Sequence, residues 1–76
     1  MNRLKTIKKY FRDTTLEKTF IDILWKVQLY NITIKQIILE MKNEELMKLQ
    51  LFYNTNNFNR LVEKLENDID YILELE

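Results

Sequence analysis

Seventy-six residues without a single Gly or Pro leave a chain few ways to turn. Gly enters left-handed backbone without steric cost, and Pro presets the dihedral of many tight turns. A chain lacking both has poor material for hairpins and glycine loops. Asn is the next residue to tolerate a left-handed conformation, so the breaks between elements are expected at Asn. Between the Asn clusters the apolar residues recur at helical spacing, with no alternation of period two. That pattern predicts helices and no strands.

The expected helices follow from their caps and stripes. Residues 3–12, "RLKTIKKYFR", place Leu4, Ile7 and Phe11 on one face and Lys5, Lys8, Lys9 and Arg12 across the other, a short amphipathic helix. Thr14 and Glu17 stand at capping-box spacing, opening a helix over 15–30. Its inward stripe is Leu16, Phe20, Ile23, Leu24, Val27 and Tyr30. Asn31 has the place of a left-handed terminating residue. Thr33 with Gln36 makes a second capping box, and Ile32 with Ile37 stands at hydrophobic-staple spacing. A connection of about two residues makes the flanking helices antiparallel neighbours.

The next helix is expected over 34–53, with Ile34, Ile37, Ile38, Met41, Leu46, Leu49 and Tyr53 inward. Its rhythm skips a beat near Lys42 and Asn43, so the helix either kinks there or divides. "NTNN" at 54–57 is a turn, because Asn and Thr side chains compete for backbone hydrogen bonds. A last helix over 58–75 carries Phe58, Val62, Leu65, Ile69 and Ile72 as a short seam flanked by Leu61 and Leu73. The expected fold is all-α and a single domain: a small bundle of three main antiparallel helices plus the short N-terminal amphipathic helix.

A core of this size leaves a net stability of only about 3 to 5 kcal/mol. There is no Cys for a disulfide and no His for a zinc site. Burial against a partner or a second copy is the remaining way to add stability, which makes self-association an expectation. No apolar run approaches the roughly 20 residues of a membrane span. Arg3, Lys5, Lys8 and Lys9 also interrupt any signal-peptide-like core. A soluble cytoplasmic protein is expected. The lack of Ala, Ser, Gly and Pro beside abundant Lys, Asn, Ile and Leu suggests AT-rich coding, as in a low-GC bacterium or its phage.

For chemistry the inventory is thin. With no His, Cys or Ser, nucleophilic and imidazole catalysis lack their usual groups, so no catalytic residue and no cofactor is expected. Glu63, Glu66, Asp70 and Glu74 share one side of the last helix, and a solvated face explains them better than a metal site, since one helix edge cannot wrap an ion. A DNA-reading helix-turn-helix over 30–46 is disfavoured. The position needing a small residue holds Ile38, and the second helix would open with Glu44 and Glu45, which repel phosphates.

Two features point to binding. Residues 1–12 carry five basic and no acidic side chains, while 63–76 carry six acidic and one basic. The favoured reading of this asymmetry is intramolecular, the basic helix lying near the acidic one in weak surface pairs; the functional reading makes Lys5, Lys8, Lys9 and Arg12 an anion-binding surface for nucleic acid, acidic protein or lipid headgroups. The other feature is a second apolar stripe on the 15–30 helix, formed by Ile21, Trp25 and Leu29 nearly opposite the inward one. Either the N-terminal helix covers it, or it is an anchor for a protein partner or a second copy, Trp being frequent at binding hot spots. The favoured reading is a small non-enzymatic interaction protein, such as an inhibitor, adaptor or immunity-type protein. A nucleic-acid-associated regulator is the alternative.

Overall fold

Residues 16–74 are described by a computed structural model and form four helices, α1 (Leu16–Tyr30), α2 (Ile34–Glu40), α3 (Asn43–Tyr53) and α4 (Phe58–Leu73). No strand occurs among the described residues. The expected 3–12 helix and the Thr14 cap lie outside them.

The turns fall at Asn. Asn31 and Asn54, with φ of 54° and 52°, are the non-glycine residues with positive φ among the described residues. At Asn54 the chain closes α3 with a two-bond motif: Thr55 N–H donates to the Gln50 carbonyl at 3.1 Å, and Asn54 N–H to the Leu51 carbonyl at 3.3 Å. This is the arrangement in which Gly usually supplies the left-handed residue. After α1, Ile32 N–H reaches back to the Lys26 carbonyl at 3.2 Å.

Caps open the next helices. The Thr33 hydroxyl accepts from Gln36 N–H at 3.1 Å, and the Asn57 side chain accepts from Arg60 N–H at 3.0 Å. Only half of the Thr33 capping box forms in the expected way, because the Gln36 amide turns forward and donates to Glu40 at 2.9 Å. Either arrangement satisfies the amide, and the i,i+4 partner lies on the same helix face.

The 34–53 stretch divides. Met41 (φ −71°, ψ 144°) and Lys42 (φ −65°, ψ 145°) are extended, and Asn43 is already helical. The joint thus falls one residue earlier than the skipped beat suggests. The cause is a phase mismatch. In one continuous helix, the apolar stripe of Ile34, Ile37, Ile38 and Met41 and that of Leu46, Leu49 and Tyr53 would differ by about one residue's rotation, roughly 100°. Breaking the helix lets both stripes face one core. Glu44 and Glu45 lie in the first turn of α3, where carboxylates are favoured by the helix dipole.

α1 and α4 each pack on both α2 and α3. The deepest side chains are Phe20, Ile23, Leu49, Leu61, Leu65 and Ile69, with Leu16, Leu24, Ile34, Ile37, Ile38 and Ile72 also buried around them. An aromatic relay ties three helices together. Phe20 of α1 meets the Phe52 ring edge-on at 6.1 Å, Phe52 meets Tyr53 edge-on at 4.9 Å, and the Tyr53 hydroxyl donates to the Asp68 carboxylate of α4 at 2.5 Å.

The expected core differs in detail, and Val27, Met41, Leu46 and Tyr53 are only partly buried at its margin. Tyr30 is 69 % exposed, because α1 ends there and the chain turns away at Asn31. In α4 the buried stripe is Leu61, Leu65, Ile69 and Ile72, whereas Phe58 and Val62 are only partly buried. A helix set against two neighbours buries a stripe centred on the groove between them, which shifts the centre from Val62 to Leu61.

Candidate interaction face

The stripe on the far side of α1 follows from helical arithmetic. Ile21, Trp25 and Leu29 recur every four residues. Successive members lie about 6 Å apart along the axis and nearly opposite the buried Leu16, Phe20 and Ile23. Ile21 is partly buried against the core, while Trp25 is 53 % and Leu29 62 % exposed. Charged groups frame them. Lys26 pairs with Asp22 at 3.0 Å, and Lys18, Thr19, Ile21, Asp22, Trp25 and Glu45 of α3 line a shallow recess beside the indole. Trp25 therefore has a wall on one side and solvent on the other.

This arrangement is suited to association. An indole held on a rigid helix loses little conformational freedom on binding, and a polar rim around an apolar centre is the usual anatomy of an interface. Scattered exposed apolar residues are ordinary, but here two, Trp25 and Leu29, stand one turn apart beside the half-buried Ile21 on an element whose other side is closed into the core.

Among the described residues, no other candidate belongs to this face. Lys5, Lys8, Lys9 and Arg12 lie outside the described residues. Glu63, Glu66 and Asp70 of α4, and Glu74 just past its end, are all exposed, and among the described residues no three such groups are placed to hold a metal ion. Ile38 is a core residue at 3 % exposure, and the αL conformation that a helix-turn-helix would want at Asn43 is absent there. No described helix is long and apolar enough to cross a membrane.

Sequence reasoning missed one surface. Met47 and Leu51, one turn apart on α3, are 59 % and 79 % exposed and border a shallow groove with Gln50 and the 54–56 turn. The signal was present: both fall well off the Leu46, Leu49 and Tyr53 stripe. Comparison with known protein families, with curated proteins and with solved structures finds no match for the chain.

Proposed function

We propose that this chain is a small non-enzymatic interaction protein that binds another protein through the Ile21, Trp25 and Leu29 face of α1. The observation that carries this reading is the exposure of Trp25 and Leu29 on the outer side of a helix whose inner side is closed. Burial of such a side chain contributes up to about 1.5 to 3 kcal/mol. The same face suits an inhibitor, an adaptor or an immunity-type protein, acting in the cytoplasm of a low-GC bacterium or its phage.

The test is capture of a partner from host extract by the tagged protein, with Trp25→Ala as control. Capture that survives high salt and is lost in the variant is the expected result. A basic N-terminal segment acting on nucleic acid would instead give affinity that falls steeply with salt through counterion release and is indifferent to Trp25.

A further inference from the structure

We infer that the Trp25 face is occupied by a second copy of this chain, the two α1 helices crossing antiparallel at Trp25. The inference rests on the proposed docking role of this face and names its occupant. Three observations select a copy of the same chain.

The face is self-complementary in shape. Ile21 and Leu29 lie four residues on either side of Trp25, so a two-fold axis through Trp25 sets Ile21 against the partner's Leu29 and stacks one indole by the other. Symmetric dimers of this kind bury the same patch on both copies.

The face is also self-complementary in charge. Asp22 and Lys26, half-exposed and paired at 3.0 Å, are centred on position 24, within one residue of the apolar centre. Antiparallel crossing brings Asp22 toward the partner's Lys26 and Lys26 toward the partner's Asp22, doubling each ion pair. Parallel crossing would carry the two Asp22–Lys26 pairs to opposite edges of the interface, where they would not meet. Lys18 and Glu45 stand on the same edge of the face and add one charge of each sign. Finally, the chain has a formal net charge of zero, so two copies approach without net repulsion.

Sedimentation velocity from about 1 µM to about 1 mM, a range covering weak dimers, tests this. The wild type should shift from monomer to dimer with concentration. Trp25→Ala should weaken the dimer about thirtyfold or more while leaving the helical dichroism unchanged, since Trp25 is not a core residue. Asp22→Lys and Lys26→Asp should each weaken it, by placing like charges across the axis. An equimolar mixture of those two variants should associate again, as a heterodimer.

A dimer that forms equally well in both charge variants overturns the antiparallel assignment. A wild type that stays monomeric to about 1 mM overturns the second copy. In that case a Trp25 readily quenched by acrylamide leaves the docking reading standing, and an unquenchable Trp25 removes both.

Discussion

At the residue scale, Asn takes the work that Gly does elsewhere. Asn54 holds φ at 52° while closing α3, a conformation that costs an ordinary side chain about 1 to 2 kcal/mol. Asn54→Ala should therefore lower stability by about 1 kcal/mol, and Asn54→Gly should leave it unchanged or raise it. Thermal melts of the two variants check this, and equal melting points would show that the left-handed position is not strained. Thr33→Ala removes an observed cap and should cost about 0.5 to 2 kcal/mol. These sites were legible because caps and turns depend on a few neighbouring residues. The Tyr53–Asp68 bond was not, since it joins side chains fifteen positions apart and exists only once α3 and α4 are packed. Tyr53→Phe should cost about 1 to 2 kcal/mol by leaving a partly buried carboxylate short of a donor. An unchanged denaturant midpoint would mean that water replaces the hydroxyl.

At the element scale, the division of 34–53 offers the sharpest test. Lys42 has φ −65° and Met41 before it has ψ 144°, which are the values a Pro and its preceding residue require. Lys42→Pro should be neutral or stabilising by up to about 1 kcal/mol, because it restricts the unfolded chain. Were residues 34–53 one continuous helix, the same change would cost about 3 kcal/mol. Chemical denaturation separates the two outcomes. The skipped beat was visible in the apolar pattern, but its resolution was not, because a kink and a break satisfy the same local spacing. The rotation of the α4 stripe was hidden for a related reason. The a/d pattern assumes one partner helix, whereas α4 packs on two, so Leu61→Ala should cost about 2 to 5 kcal/mol and Val62→Ala clearly less. Equal losses in melting experiments would restore the simpler seam.

At the scale of the whole molecule, the helices span 15, 7, 11 and 16 residues, more than half of the chain. The radius of gyration of 11.7 Å matches the value of about 11 Å for a compact chain of this length. The all-helical character and the two-sided α1 were both readable from periodicity. What periodicity cannot reach is which neighbours cover each face, because coverage depends on the packing of distant segments. The central claim is that the outer face of α1 is a working surface, and the chain carries a single Trp, Trp25, at the middle of it. Acrylamide quenching of Trp25 fluorescence across a dilution series is therefore the most direct measurement. The account predicts red-shifted, readily quenched emission from the dilute protein, becoming blue-shifted and protected as a second copy or partner binds. Blue-shifted, unquenchable emission at the lowest concentration would contradict it, because the indole would then be covered within the monomer.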